Sequence, residues 1–147
     1  MGGVLGFDFG DRRIGVALAP QGVAVATGLP TITYSGRRDL RRQLERLIVE
    51  KDPDILVVGL PLNLDGSCGE RCTASEAFAE RLRGWFGIPV RMQDERLTTV
   101  EAERVRVEAG TEGRRAREEG LTDRAAAVLL LQRWIDGGGL ADEEVMN

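Results

Sequence analysis

The most constraining stretch of this sequence is Ile55–Leu60 (ILVVGL), six residues without a polar side chain. An uninterrupted apolar run of this length is typical of a strand covered on both faces, as in a parallel sheet packed between helices. Pro53 precedes the run and Pro61 follows it, so residues that interrupt regular structure mark both ends. The run therefore predicts an α/β fold with helices on both faces of its sheet.

The first third of the sequence contains three strand candidates, of which the first is apolar and the second alternates between apolar and polar residues. Val4–Phe9 and Arg13–Ala19 are separated by a Gly-Asp turn, and Val23–Thr33 is rich in Val, Thr and Ile. We expect these three segments to form an antiparallel meander.

Apolar residues then recur at the spacing of one helical face, once before the buried run and once after it. The first stripe consists of Leu40, Leu44, Leu47 and Ile48. The second stripe consists of Phe78, Leu82, Trp85 and Phe86. Pro53 is expected to end the first helix and Gly87 the second.

The rest of the chain adds one strand and further helical sequence. Pro89–Glu95 is a predicted fifth strand, followed by a charged helix over about 98–109 and a polar loop over 110–120. The last helix is predicted over about 122–136. Its segment Ala125–Leu131 is apolar all round, so we expect that helix to pack against the sheet.

The resulting element order is βββαβαβα. Because crossovers between parallel strands are right-handed, the later strands lie beside the first one, which gives a mixed five-stranded sheet with helices on both faces. This is the ribonuclease-H-like arrangement, and we expect a single domain over residues 1–147 with a loose tail from about residue 138. Binding sites in such sheets form at the carboxyl ends of strands, where the strand order reverses.

Histidine is absent from the sequence, which excludes Ser-His-Asp and Cys-His catalysis and every zinc site built on imidazole. Any chemistry must come from carboxylates, Arg, hydroxyl groups or a bound metal. Cys68 and Cys72 cannot complete a four-ligand zinc site by themselves. We expect them to be a reduced pair in a cytoplasmic protein.

The formal net charge is −4, yet every basic residue except Lys51 is Arg. The arginines form three clusters, at 12–13, 37–46 and 114–117. Local Arg clusters on an acidic protein can bind phosphate, but composition alone favours the explanation that these arginines occupy solvated surface positions. The longest apolar run has seven residues, far below the ~20 that span a bilayer, so no membrane partner is expected.

Acidic residues fall at the ends of three predicted elements. Asp8 is near the end of the first strand, Asp94 and Glu95 are at the end of the fifth, and Asp123 opens the last helix. Strand alternation directs only one of Asp94 and Glu95 to a shared site and does not say which. Asp123 could instead cap its helix.

In the predicted topology these element ends converge. Carboxylates held close together repel one another unless cations lie between them, and oxygen ligands suit Mg²⁺ or Mn²⁺. Two such ions can support phosphodiester cleavage without histidine.

Four segments, GFDFGDRRIGVALA, VVGLPLNLDGS, DERLTT and TDRAAAVLLLQ, occur in the order of the signatures of the YqgF/RuvX family, which this chain closely resembles. That family contains Holliday-junction-resolvase-like proteins and pre-16S rRNA nucleases. The resemblance implies that Asp8, Glu95 and Asp123 are metal-binding catalytic residues, and it selects Glu95 over Asp94. It also implies a metal-dependent endonuclease that processes the 5′ end of pre-16S rRNA.

Two other functions fit the same segments. One is Holliday-junction resolution, and the other is a non-catalytic nucleic-acid-binding module of the same fold, which would have no use for three carboxylates that repel phosphate. The segment DFGDRRIG also resembles the phosphate-binding hairpin of actin- and sugar-kinase-type ATPases, but those proteins need two such domains and this length supplies one.

The expected partner is a nucleic acid, either pre-rRNA or branched DNA. The arginines predicted to contact it are Arg12, Arg13, Arg96, Arg38 and Arg42. Arg96 could instead form an ion pair with Asp94 or Glu95. The apolar stripes are all needed to cover the sheet, so we expect a monomer or a weak homodimer.

Overall fold

A computed structural model of the chain describes residues 2–96 and 121–141. Within these ranges the elements are β1 (Val4–Phe9), β2 (Arg13–Ala19), β3 (Thr27–Thr33), α1 (Arg37–Lys51), β4 (Ile55–Leu60), α2 (Glu70–Phe86), β5 (Val90–Asp94) and α3 (Leu121–Asp136). This order agrees with the predicted one. The predicted charged helix over about 98–109 and the loop over 110–120 lie outside the described residues.

The five strands form one mixed sheet in the order β3-β2-β1-β4-β5. β1 is central: it pairs antiparallel with β2 and parallel with β4, and β5 is parallel to β4. β1, β4 and β5 therefore end at the same side of the sheet, which we call the carboxyl edge. The prediction of a ribonuclease-H-like sheet is confirmed.

Alternate residues of β4 pack on opposite sides of this sheet. Leu56 and Val58 belong to a core shared with α1 and α2, whereas Ile55 and Val57 belong to a core shared with α3. All four side chains are buried. The predicted covering of this strand on both faces is confirmed, and so are helices on both sides of the sheet.

β3 starts later than predicted, at Thr27 instead of Val23. The side chain of Gln132, on α3, binds the preceding segment: Ala26 N donates to its Oε1 at 2.9 Å, and its Nε2 donates to Ala24 O at 3.1 Å. At Ala24 and Ala26 this segment is therefore hydrogen-bonded to a helix side chain instead of to β2. A contact between residues so far apart in the chain has no local sequence signal.

The ends of α1 and α2 follow the predicted signals. Asp52 adopts a left-handed conformation with φ 46° and ends α1 one residue before Pro53. Gly87, with φ 65°, ends α2. No helix in the described part of the chain is long and apolar enough to cross a bilayer.

The chain continues beyond α3 as a turn at 137–138 and a helical segment at 139–141. Leu140 packs against the core next to α3. Residues 142–147 lie outside the described part, so the loose tail predicted from about residue 138 is not decided.

Candidate active site

Asp8 and Glu95 meet at the carboxyl edge, although a whole strand separates the elements that carry them. Asp8 is the penultimate residue of β1, and Glu95 directly follows β5. The backbone N–H of Glu95 donates to Leu60 O at 3.0 Å, which ties this residue to the end of β4. The side chains of Glu95 and Asp8 are hydrogen-bonded to each other.

Gly59 explains how Glu95 reaches across β4. A Cβ atom at Gly59 would lie 2.2 Å from Cδ of Glu95, so the glutamate side chain runs directly over this glycine. Any larger residue there would push the carboxyl group away from β1. Asp94, one residue earlier, accepts hydrogen bonds from Nε and the backbone N–H of Arg96, both at 2.8 Å. Strand alternation could not say which of Asp94 and Glu95 faces Asp8, and the structure shows that it is Glu95.

Burial dominates the electrostatics of this pair. It raises the pKa of Glu95 to about 9, and the hydrogen bond to Asp8 and the charge of Asp8 act in the same direction. Burial also raises the pKa of Asp8, helped by the charge of Asp123 and opposed by the hydrogen bond from Glu95. Protonated Glu95 is therefore the donor and Asp8 the acceptor. At neutral pH the pair needs either a shared proton or a bound cation.

Asp123 is placed beside this pair by a second glycine. Gly15 is the β2 residue directly opposite Asp8 in the sheet. A Cβ atom at Gly15 would lie 1.9 Å from the backbone oxygen of Asp123, so the first turn of α3 rests on the sheet at this point. The charge of Asp123 is close enough to raise the pKa of Asp8.

The surroundings of Asp123 are compatible with a cation ligand. Its Oδ2 lies 3.2 Å from Nε of Arg13, but this buried oxygen accepts no hydrogen bond from any described residue. Arg13 balances the charge of this oxygen, and its lone pairs can still bind a further cation or donor. With Asp8 and Glu95 it forms an oxygen-only donor set, which suits a hard divalent cation such as Mg²⁺ or Mn²⁺.

The carboxylate oxygens of Asp8, Glu95 and Asp123 lie further apart than the ligands of a closed metal site. Among the described Cys, Asp and Glu residues, Cys68, Cys72 and Glu76 form a group whose possible ligand atoms all lie within 4.8 Å of one another. Asp8, Glu95 and Asp123 do not form such a group. Asp123 therefore stands back from the Asp8–Glu95 pair.

The predicted phosphate-binding arginines occupy different surroundings. Arg13 forms the ion pair with Asp123, and exposed Arg12 directly precedes it. Arg96 pairs with Asp94 at 2.7 Å, which is the alternative the sequence left open. Arg38 and Arg42 lie on the exposed side of α1. Arg42 pairs there with Asp39 at 2.8 Å, and nucleic-acid binding by α1 stays a prediction.

Two arginines that sequence reasoning missed also act on the site. Arg133, on α3, donates from Nη1 to Arg96 O at 2.7 Å and so holds the backbone next to Glu95. The positive charges of Arg71 and Arg133 both lower the pKa of Glu95, against the larger effect of burial. No local signal separates these two from the other arginines of the chain.

The prediction that Cys68 and Cys72 are free thiols is wrong. The structure joins them in a disulfide, with Cα atoms 5.3 Å apart. The physical reason is that α2 begins at Glu70, directly after Gly69, and its first turn brings Cys72 back towards Cys68. That Cα separation is within the usual range for a disulfide.

Solved structures with the same fold include nucleic-acid enzymes. The crystal structure of Fowlpox virus resolvase with Holliday junction DNA matches with a TM-score of 0.58 at 11% identity, over 92% of this chain and 97% of that one. Thermus thermophilus RuvC with Holliday junction substrate matches with a TM-score of 0.54 at 12% identity, over 90% and 93%. At such identities the likeness defines the fold class alone, which is ribonuclease-H-like.

The sequence places the chain more narrowly. It belongs to the RuvX family, described as Holliday junction resolvase, whose model matches residues 2–137. A Pseudomonas fluorescens protein named "Putative pre-16S rRNA nuclease" is 44% identical over 90% of this chain and 91% of its own length. A Yersinia enterocolitica protein of the same name is 39% identical over 90% and 94%. The resemblance seen in the sequence motifs is confirmed.

Proposed function

We propose that this protein is a divalent-metal-dependent endonuclease that hydrolyses phosphodiester bonds in structured nucleic acid. The half-buried, hydrogen-bonded pair of Asp8 and Glu95 carries the proposal, because two acids in contact at a sheet edge share a proton without metal and offer a divalent cation a site when both ionise. Names of the relatives support a nuclease. As the substrate we propose the 5′ end of pre-16S rRNA, in the cytoplasm.

The proposed roles follow from the geometry of the site. Asp8, Glu95 and Asp123 would hold Mg²⁺ or Mn²⁺, with Asp8 central because it contacts Glu95 and lies beside Asp123. Two such ions, when bound, activate water and stabilise the leaving oxygen of a phosphodiester.

Arginines would supply the remaining contacts to the substrate. Arg13 is held by Asp123 with its side chain 40% exposed, so its guanidinium can also donate to a phosphate at the mouth of the site. Arg12, next to it and exposed, would neutralise the flanking phosphate. Arg96 is engaged with Asp94, and its role would be to orient the segment that carries Glu95.

Junction resolution is the second candidate, because the family is described by that activity. It requires paired cuts on symmetry-related strands and hence two active sites about a two-fold axis. Trimming of a single RNA strand requires one site only.

A direct comparison of substrates tests the proposal. Labelled pre-16S rRNA and a labelled four-way DNA junction are incubated with the protein in Mg²⁺, in Mn²⁺ and in EDTA. We expect endonucleolytic cleavage of the rRNA precursor with either ion and none in EDTA. Preferential cutting of the junction would select the resolvase function, and undiminished cutting in EDTA would exclude metal dependence.

A further inference from the structure

Arg71 lies on the core-facing stripe of α2 but is not part of the core. Arg71, Ser75, Phe78 and Leu82 have the spacing i, i+4, i+7 and i+11, which puts them on one helical face. Ser75, Phe78 and Leu82 are fully buried, whereas Arg71 is exposed. The helix therefore overhangs the sheet, and Arg71 lies on the part that projects beyond it.

Contacts of Phe78 locate this overhang. Its ring stacks on Phe9, the last residue of β1, with centroids 4.5 Å apart. Arg71 is two turns closer to the start of α2, about 10 Å along the helix axis. Because α2 follows the parallel strand β4, its start lies at the carboxyl edge. The structure thus brings Arg71 over the edge where Asp8 and Glu95 meet.

The charge of Arg71 is available at this position. Arg71 makes no ion pair with another residue of the described ranges. The positive charge of Arg71 lowers the pKa of both Asp8 and Glu95, which agrees with the position that the Phe78–Phe9 contact and the helix spacing give it. An exposed guanidinium can donate two parallel hydrogen bonds to a phosphate, so Arg71 has the chemistry needed to bind one at this edge.

The Cys68–Cys72 disulfide joins the two ends of the short segment that contains Arg71. Cys68 lies in the loop before α2, Cys72 is buried in its first turn, and Arg71 is between them. The cross-link ties the loop that follows β4 to the start of the helix. It thereby limits the directions in which the first turn can present Arg71.

We propose that Arg71 binds a phosphodiester group of the nucleic acid beside the Asp8–Glu95 pair, and that the Cys68–Cys72 disulfide positions it to do so. The proposal rests on the proposed nuclease function and adds a substrate contact to the same site. Arg71 reaches the phosphate from the α2 side, whereas Arg12 and Arg13 reach it from β2. The scissile strand lies between these two groups of arginines.

Binding in Ca²⁺ at a series of salt concentrations tests the role of Arg71. The probes are a fluorescein-labelled RNA that spans the 5′ boundary of 16S rRNA and a fluorescein-labelled four-way DNA junction. Arg71→Gln should weaken binding of the preferred probe about tenfold, the loss of one charge-assisted contact. The slope of log K against log salt should become shallower by about 0.7–0.9.

Two further variants make the result specific. Arg71→Lys keeps the charge and should keep the slope. Arg81→Gln removes a guanidinium about 15 Å further along the same helix and should leave both affinity and slope unchanged. A slope for Arg71→Gln equal to that of the unaltered protein would overturn the proposal.

The disulfide is tested by a double-mutant cycle. In a Cys68→Ser/Cys72→Ser background, Arg71→Gln should weaken binding less than in the oxidised protein, because the side chain is no longer held in place. Thermal unfolding of the serine variant verifies that the protein still folds. An equal effect of Arg71→Gln in both backgrounds would remove the disulfide from the proposal.

Failure of the nuclease function would give a different pattern. Binding in Ca²⁺ needs no turnover, so the contribution of Arg71 is measured whether or not the protein cuts. Arg71-dependent binding without cleavage in Mg²⁺ or Mn²⁺ would overturn the proposed function and uphold the phosphate contact.

Discussion

At the scale of single residues, the site depends on which of two adjacent acids faces the centre of the sheet. Glu95 turns towards Asp8, and Asp94 turns towards Arg96. Neighbouring acids of similar chemistry therefore have opposite electrostatics: burial raises the pKa of Glu95, whereas the hydrogen bonds and charge of Arg96 lower that of Asp94. This contrast supplies a matched control for the proposed catalytic residues.

Amide substitution should separate the two acids. We expect Asp8→Asn, Glu95→Gln and Asp123→Asn each to reduce the cleavage rate in Mg²⁺ by at least about a hundredfold, because each removes a charged ligand of the proposed metal. Asp94→Asn should change the rate by less than about tenfold, since its partner is Arg96. Single-turnover cleavage measures these rates. A residue whose amide variant still cuts at the native rate is not catalytic.

The raised pKa of Glu95 predicts a pH-dependent stability without metal. The folded protein favours the protonated acid, so this contribution to stability is complete below the ordinary value of 4.5 and is lost as the pH rises towards about 9. In EDTA, the melting temperature should fall from about pH 5 to about pH 9, and should fall less in Glu95→Gln. Calorimetry in EDTA measures both profiles.

The same profiles contain their own control. The pKa of Asp94 is lowered, so Asp94→Asn should leave the change between about pH 5 and about pH 9 as it is in the unaltered protein. Equal slopes for Glu95→Gln and the unaltered protein would mean that Glu95 is ionised in the metal-free fold.

At the scale of secondary structure, one glycine sets how closely α3 approaches the sheet. Gly15 allows the backbone of Asp123 to lie directly on β2 next to Asp8. Gly6 and Gly28 continue this contact along α3, towards Leu131 and Arg124. The distance between helix and sheet, and hence the position of Asp123, depends on these strand positions being glycine.

Gly15→Ala should therefore disturb both stability and the site. The new methyl group would lie 1.9 Å from a backbone oxygen that cannot rotate away, so α3 must shift. We expect a loss of about 1–3 kcal/mol in the free energy of unfolding, with reduced cleavage. Gly84→Ala is the control: Gly84 lies in the last turn of α2, nothing lies within 4 Å of a Cβ atom there, and a gain of up to about 0.5–1 kcal/mol is expected. Urea denaturation compares the two, and a neutral Gly15→Ala would contradict the close packing.

At the scale of the whole molecule, assembly decides between the two candidate substrates. A stable dimer buries about 1,200 Å² or more and needs an apolar patch on each protomer. Among the described residues, the large exposed hydrophobic side chains are Val23, Val25, Val49 and Leu64. Val23 and Val25 are near each other in the chain, whereas Val49 lies on α1 and Leu64 in the loop after β4.

We expect a monomer or weak dimer in sedimentation velocity at micromolar concentration, because these side chains are distributed over three segments. That state suits the cutting of a single strand. A tight two-fold dimer at the same concentration would contradict this expectation and favour junction resolution. Addition of the four-way junction tests whether the substrate itself brings two copies together.

The sequence alone determined the order and type of the described elements and the side of the sheet where the acids gather. Those features depend on local periodicity: the apolar run Ile55–Leu60, the helical stripes, and the Pro and Gly residues that end them. Asp8 could be predicted in the same way, as an acid at the end of an otherwise apolar strand. The family motifs, and not the residue pattern, selected Glu95.

Only the tertiary structure decided which groups meet at that edge. Glu95 reaches Asp8 because β4 offers a glycine between them, and Asp123 is set by Gly15. Arg71 joins the site because α2 extends past the end of β1, and the late start of β3 comes from a helix side chain. These contacts join residues that are distant in the chain, and their free energy depends on distance and burial, which no local pattern contains.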